Sequence, residues 1–203
     1  HILKLSRDAV SLKDLNGNEV EPEYQEVDWE LNNAGKNGYP FYMEKEIMEQ
    51  PDAILHTIEE RLKDGMPDFT ADGVPDEIFS QCERVNVIAC GTAMHAGLFG
   101  KYMTEKLARR PCEAELASEF RYKNPILGKN DAVIIISQSG ETADSLAALR
   151  LAKERGAYTL GIVNAVASSI AREADDVIYT RAGPEIAVAS TKAFTVQAAV
   201  MCL

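Results

Sequence analysis

The chain lacks any run approaching the roughly 20 apolar residues that a membrane-spanning helix needs, although 46% of its 203 residues are hydrophobic. Its first residues, His1-Ile2-Leu3-Lys4, carry no signal-peptide pattern. They carry no initiator Met either, so the chain is expected to begin inside a longer protein. Basic residues are scarce: 21 Lys and Arg against 32 Asp and Glu give a net charge of −11. That balance argues against nucleic acid as a partner, which requires clustered cations. It does not argue against one small phosphate, because a nest of backbone amides binds an anion in an unfavourable overall field. The four cysteines, Cys82, Cys90, Cys112 and Cys202, form no Cys-x-x-Cys pair, and His1, His56 and His95 are equally scattered. No metal centre is expected, and reduced thiols in a cytoplasmic setting are the simpler reading. Neither G-x-x-x-x-G-K-[ST] nor G-x-G-x-x-G occurs, which weakens the case for a nucleotide, and no cofactor is expected.

What is present is an ordinary globular composition, with 26% charged residues and enough length for one domain plus an appendage. Residues 1–31 read differently from the rest. Ile2 to Ser6 and Val10 to Lys13 alternate apolar and polar side chains, Asn16-Gly17-Asn18 offers a tight turn, and Val20 begins a further extended piece. Such a β-meander is marginal alone and is expected to be the end of a neighbouring domain. Residues 32–42 form a linker dense in turn formers, from Asn32-Asn33-Ala34-Gly35 to Gly38-Tyr39-Pro40. Helices are predicted over 43–50 and 52–63, the second opened by Pro51 and stopped by Asp64-Gly65, then a loop over 66–74.

From residue 84 a β-then-α rhythm sets in. Strands are predicted over 85–89, 113–116, 133–136, 159–163 and 177–180, and helices over 94–109, 118–122, 143–155, 168–173 and 191–203. The helix over 94–109 shows Leu98, Phe99, Tyr102 and Met103 on one apolar face, and Gly156 closes the helix over 143–155. This alternation implies an α/β fold with a five-stranded parallel sheet covered on both faces. Ligands of such sheets lie beyond the strands' carboxyl ends, where strand order reverses.

Three loops join a strand end to a helix start. The most informative follows Ala132-Val133-Ile134-Ile135-Ile136, where a buried strand delivers Ser137-Gln138-Ser139-Gly140-Glu141-Thr142 to a helix N-terminus. Unpaired amides there attract phosphate, and three hydroxyls add neutral donors. The others are Cys90-Gly91-Thr92-Ala93 and the stretch from Ala182 to Lys192, which ends in Ser190-Thr191. For any one loop, hydroxyl residues that merely cap a helix explain the pattern better. Glu141 suits a helix N-terminus but sits awkwardly beside a phosphate unless it points away. Recurrence favours a ligand, because three hydroxyl-bearing loops line one edge of one sheet. His95 reads as packed or solvated, Cys90 as a small core residue, Lys192 as solvated, and the acidic stretch from Glu19 to Glu30 as an exposed face.

These loops resemble those of the sugar-isomerase (SIS) domain family, a phosphosugar-binding module. Ser137 to Thr142 match that family's S-x-S-G-x-T phosphate loop. Together with Cys90-Gly91-Thr92, Val188 to Phe194 and Tyr42 to Pro51, they are similar to the first SIS domain of the glutamine-dependent, isomerising fructose-6-phosphate aminotransferases. Residues 1–31 resemble the last strands of that family's glutaminase domain. The resemblance implies a flavodoxin-like, three-layer αβα fold over 43–203, with the SIS domain incomplete at its C-terminus. It implies a hexose 6-phosphate ligand, fructose 6-phosphate or glucosamine 6-phosphate. Ser137, Gln138, Ser139 and Thr142 would bind the phosphate and Thr92 the sugar. The Val188 and Ala189 backbone and the Ser190 hydroxyl would hold sugar hydroxyls, with Cys90 and Gly91 as secondary candidates. Ala93 departs from the family, where Ser is frequent, and Met94 replaces a common aromatic.

The family transfers ammonia from glutamine to fructose 6-phosphate and isomerises the product to glucosamine 6-phosphate, the first step of hexosamine and UDP-GlcNAc synthesis. The resemblance places its cysteine nucleophile in the glutaminase domain, and its lysine, glutamate and histidine groups in the second SIS domain and tail. This chain is therefore expected to bind substrate and to hold no catalytic residue. Its implied partners are the glutaminase domain, the second SIS domain and a second copy in a homodimer. Two alternatives stand beside this: a non-catalytic phosphosugar-sensing SIS domain, and a fructosamine-phosphate deglycase, which would lack the glutaminase part.

Overall fold

A computed structural model describes residues 1–22, 24 and 35–203. The chain opens with an antiparallel sheet of β1 (Ile2–Leu5), β2 (Val10–Lys13) and β3 (Glu19–Val20), in that order, as the alternation predicts. Asp14 braces its second turn by accepting the N–H groups of Asn16 and Asn18 at 2.8 and 2.9 Å. The linker's Asn32-Asn33-Ala34, and most of the acidic stretch after Glu19, lie outside the described residues.

Two helices follow, α1 (Tyr42–Met48) and α2 (Gln50–Ile58), with Pro51 in the first turn of α2, where its missing N–H does no harm. The helix expected to reach residue 63 stops earlier. A 3₁₀ turn (Glu59–Arg61) leads into a small hairpin of β4 (Leu62–Lys63) and β5 (Met66–Pro67). Asp64 and Gly65 both take positive φ, 53° and 78°, so this pair makes a hairpin turn where a helix stop was expected. A short helix that the periodicity did not announce, α3 (Asp76–Gln81), precedes the main sheet.

That sheet holds β6 (Arg84–Ala89), β7 (Cys112–Leu116), β8 (Asp131–Ser137), β9 (Tyr158–Val163) and β10 (Asp176–Tyr179). All pair in parallel, in the order β10-β9-β8-β6-β7. This is the flavodoxin-like order, and it reverses between β6 and β8. The connecting helices are α4 (Thr92–Met103), α5 (Ala117–Phe120), α6 (Ala143–Glu154), α7 (Ser169–Glu173) and α8 (Lys192–Val200). Every residue of β8 is buried, with Val133 and Ile135 facing α5 and α6 and Ile134 and Ile136 facing the layer of α4 and α8. Each buried isoleucine is worth about 1.5–3 kcal/mol, so a strand apolar on both faces gains most at the sheet's centre. After α6, Gly156 at φ 80° lets Ala157 N–H reach Ala152 O at 3.1 Å, closing the helix as expected.

One face is corrected. In α4 the packed residues are Ala93, Ala96, Gly97 and Gly100, while Leu98, Phe99 and Tyr102 are 36, 41 and 69% exposed. The reason is close approach. A Cβ on Gly97 would come within 3.0 Å of Val87 Cγ1, and one on Gly100 within 2.3 Å of Met201 Cε. The α-helical part of α4 also ends at Met103, followed by a π turn over Thr104–Ala108. No helix among the described residues is long and apolar enough to cross a membrane.

The hairpin after α2 is tied to the sheet by Arg61, which is 1% exposed. It meets Asp72 through Nε and Nη2 at 2.7 and 2.5 Å and donates to the Thr57 and Tyr179 carbonyls at 2.5 and 3.1 Å. Removing the carboxylate strands a buried cation. Asp72→Ala is expected to lower the unfolding free energy by about 3–5 kcal/mol, measured by urea denaturation. A loss below about 1 kcal/mol would mean that the two carbonyls suffice for the guanidinium.

Candidate functional site

The sheet's reversal point sets two strand-to-helix loops side by side, because β6 and β8 are hydrogen-bonded neighbours while α4 and α6 leave on opposite faces. The loop after β8 braces itself. Gly140 N–H donates to Ser137 Oγ at 3.0 Å, Glu141 N–H donates to Ser139 Oγ at 3.2 Å, and the Ser137 and Thr142 hydroxyls lie 3.0 Å apart. Thr142 occupies the N-cap position of α6 yet makes no capping hydrogen bond with its side chain. The first-turn amides receive nothing from it, which is the arrangement a bound anion uses.

Glu141 does not oppose that use. Its carboxylate turns away and accepts Ser169 N–H at 2.7 Å, a hydrogen bond that holds its pKa below the ordinary carboxylate value. Gly140 takes φ 65°, and a Cβ there would lie 2.0 Å from Ser168 Oγ. No side chain fits.

The third loop runs from β10 to α8, and α8 lies between α2 and α4, so the loop crosses over the reversal point. Asn164, 6% exposed, fastens it to the sheet. Its Oδ1 accepts Ala182 N–H at 3.1 Å, and its Nδ2 donates to Gly183 O at 2.8 Å. The Asn164 N–H also donates to Gln138 O at 3.1 Å, which joins the second loop to the third. Glu185 then folds back over the start of α8. One oxygen accepts the N–H groups of Thr191 and Ala193 at 2.8 and 3.1 Å, and the other lies 3.1 Å from Ser190 Oγ. The expected caps Ser190 and Thr191 are thus held by a carboxylate, and neither caps α8 itself.

The three loops enclose a cleft of about 300 Å³. Thr92 and Cys90 line it from the first loop, Ser137, Gln138, Ser139 and Thr142 from the second, and Val188 and Ser190 from the third. Two expected residues, Gly91 and Ala189, are not among its lining. Glu185, Ala187 and Gln197 line it and were not anticipated. Gln197 left a signal, a lone amide in an otherwise apolar helical run, and it is 2% exposed. Glu185 left none, because its distance from α8 fits no local capping pattern. Among the described residues it is the one charged residue on the cleft wall, so an anion would be held by neutral donors.

Lys192 differs from expectation. It is 3% exposed and its Nζ meets Glu49 at 2.8 Å, with Lys45 reaching the same carboxylate at 3.2 Å. Burial acts to raise the Glu49 pKa, but Lys192 and Lys45 outweigh it and leave the carboxyl below its ordinary value of 4.5. His95 is exposed, one of the two outcomes foreseen for it.

Residues 78–203 match the model of the SIS domain family. The chain is 51% identical over 199 residues to the glutamine–fructose-6-phosphate aminotransferase (isomerizing) of Clostridium tetani, covering 97% of this chain and 33% of that protein. It is 48% identical over 204 residues to the enzyme of the same name from Thermus thermophilus, covering 100% and 33%. The chain thus spans about a third of the length of the curated relatives it matches. Among solved structures, it is similar to the C-terminal domain of glucosamine-fructose-6-phosphate aminotransferase from Francisella tularensis. That likeness has a TM-score of 0.77 and 43% identity, and covers 83% of this chain and 47% of that one.

Two outcomes are expected from this geometry. Gly140→Ala combines a disfavoured φ with a side-chain clash and is expected to lose about 2–4 kcal/mol in denaturant titration. A stability equal to wild type would mean that the loop relaxes freely. The Glu49 contribution should follow its lowered pKa, being present above about 4.5 and lost as pH falls through the lower folded value. The melting-temperature difference between wild type and Glu49→Gln should therefore shrink in acid, and a difference that stays constant to pH 3 contradicts it.

Proposed function

We propose that this chain, which belongs to the SIS domain family, is the sugar-phosphate-binding part of an isomerising, glutamine-dependent fructose-6-phosphate aminotransferase. One observation carries the reading: an uncapped helix N-terminus and four candidate residues of one loop share a cleft with hydroxyls from two further loops. In this reading the phosphate sits at the start of α6, held by amides, by the hydroxyls of Ser137, Ser139 and Thr142, and by Gln138. The sugar then extends toward Thr92 and Ser190, with the Val188 backbone bonding its hydroxyls.

Roles divide accordingly. This chain binds and orients fructose 6-phosphate or glucosamine 6-phosphate and excludes water from one side. Ammonia release and proton transfer belong to groups in the glutaminase and second SIS domains. Residues 1–31 are read as the end of the glutaminase part, 32–42 as the linker and 43–203 as the first SIS domain. The exposed apolar residues of α1 and α4 suit contact with other parts of a homodimeric, cytoplasmic enzyme, since patches of this kind mark interfaces. Identity near one half to enzymes of that name, over nearly the whole chain, favours this over a sensor or a deglycase.

The test is a titration with fructose 6-phosphate followed through the amide resonances of Ser137 to Thr142. Saturable shifts in that loop are expected, with much weaker binding of unphosphorylated fructose. Shifts confined elsewhere, or equal affinity for fructose, would sink the reading. Thr142→Ala should weaken the sugar phosphate by about 1–3 kcal/mol, the worth of one hydrogen bond to a charged group. An unchanged affinity would leave Thr142 as part of the loop's bracing alone.

A further inference from the structure

The sugar end of the cleft is built on a loop that Asn164 ties to the sheet, and a second anchor, from outside the sheet, is a carboxylate on α1. Glu46 lies in α1, is 1% exposed, and takes two consecutive loop amides on one oxygen: Ile186 N–H at 2.6 Å and Ala187 N–H at 3.0 Å. Its other oxygen, Oε2, is buried without a hydrogen-bond partner. A buried carboxylate arranged in this way is a poor device for stability alone, because its desolvation is large and its second oxygen recovers nothing. What it does is local. Two neighbouring N–H groups that converge on one atom fix the backbone at Ile186 and Ala187, and Ala187 and Val188 form the cleft wall.

The loop's two ends are also bonded from the same helical pair. Thr57 of α2 accepts Arg181 N–H at 3.1 Å, and Glu49, between α1 and α2, pairs with Lys192 at the loop's far end. The loop after β8 differs: its hydroxyls brace it from within, and outside bonds run to Asn164, Ser169 and Ile170, none of them in α1 or α2.

We infer that Glu46 is a positioning residue for the sugar, setting the third loop so that the site prefers a sugar phosphate over bare phosphate. This rests on the reading of the cleft given above. Glu46 touches no ligand in it; it acts through the backbone of Ile186 and Ala187.

The experiment measures fructose 6-phosphate and inorganic phosphate separately by calorimetry, on the full-length protein and three variants. Glu46→Ala is expected to weaken fructose 6-phosphate at least about tenfold, the scale of lost bonds to a charged acceptor, and to change phosphate less than about twofold. Glu46→Gln keeps an acceptor for both amides and should restore most of the affinity. Glu46→Asp, one methylene shorter, should fall between them, again with phosphate unmoved. If Glu46→Ala does not fold, the Gln and Asp variants decide, and equal wild-type-like preference in both overturns the inference. So does a Glu46→Ala protein that retains its preference, or one that loses both ligands in parallel as general damage would. Wild-type protein that does not bind fructose 6-phosphate would instead bring down the site reading, and this inference with it.

Discussion

The cleft depends on the hydrogen bonding of β6 to β8. Two adjacent parallel strands whose helices leave on opposite faces must part at their carboxyl ends, and the gap cannot be filled by either helix. Each following loop then points its helix N-terminus at the same space. Everything else adapts to that pair. The isoleucines of β8 fix the strand at the sheet's centre, the glycines of α4 let that helix lie close over β6, and the α8 loop closes the third side. Moving either strand out of register would separate Thr92 from Ser137 and dissolve the site while leaving most of the core intact.

A chain with a net charge of −11 is an unpromising host for an anion, and the structure shows how the conflict is reduced. Carboxylates at both ends of the sheet are engaged as acceptors for backbone amides. Asp175 takes Thr159 N–H, Asp131 takes Gly128 N–H, and Glu141, Glu185 and Glu46 do the same around the cleft. A carboxylate with two or three N–H groups directed at it projects less field into its surroundings than a free one. Part of the acidic excess thereby becomes bracing, and the cleft beside the start of α6 keeps a lining of hydroxyls and an amide side chain.

The strand-loop-helix units were legible because their signals are local. An apolar run that stops at Ser-Gln-Ser-Gly needs no tertiary information to be read as β8 and its loop, and the expected residues of that loop do share one cleft. The direction of α4 was not legible. Counting large apolar residues points to Leu98, Phe99 and Tyr102, whereas the helix packs through alanine and glycine because it lies close to Val87 and Met201, where even a Cβ would crowd its neighbour. Glu46, Glu185 and Lys192 were missed for a different reason. Each is an ordinary charged residue of a surface-like stretch until its partner arrives, and in the cases of Glu46 and Lys192 that partner is about 140 positions away in sequence. Asn164 belongs with them, since an asparagine after a strand reads as a turn former and gives no hint that it ties two loops together.

That contrast divides the site physically. The loop after β8 carries much of its geometry in Ser137, Ser139, Gly140 and Thr142, with outside bonds going to the neighbouring Asn164, Ser169 and Ile170. The third loop has no such autonomy. Its amides end on Glu46 and its backbone on Asn164 and Thr57, three residues outside the loop, while its own Glu185 holds the helix start. Bonds of that kind form only when the whole fold is in place, and of these anchors Asn164 alone, among the described residues, also bonds the loop after β8, through its N–H to Gln138 O. A common handle with a separately adjustable wall is the arrangement expected of a site that recognises one phosphate and must discriminate among the sugars attached to it.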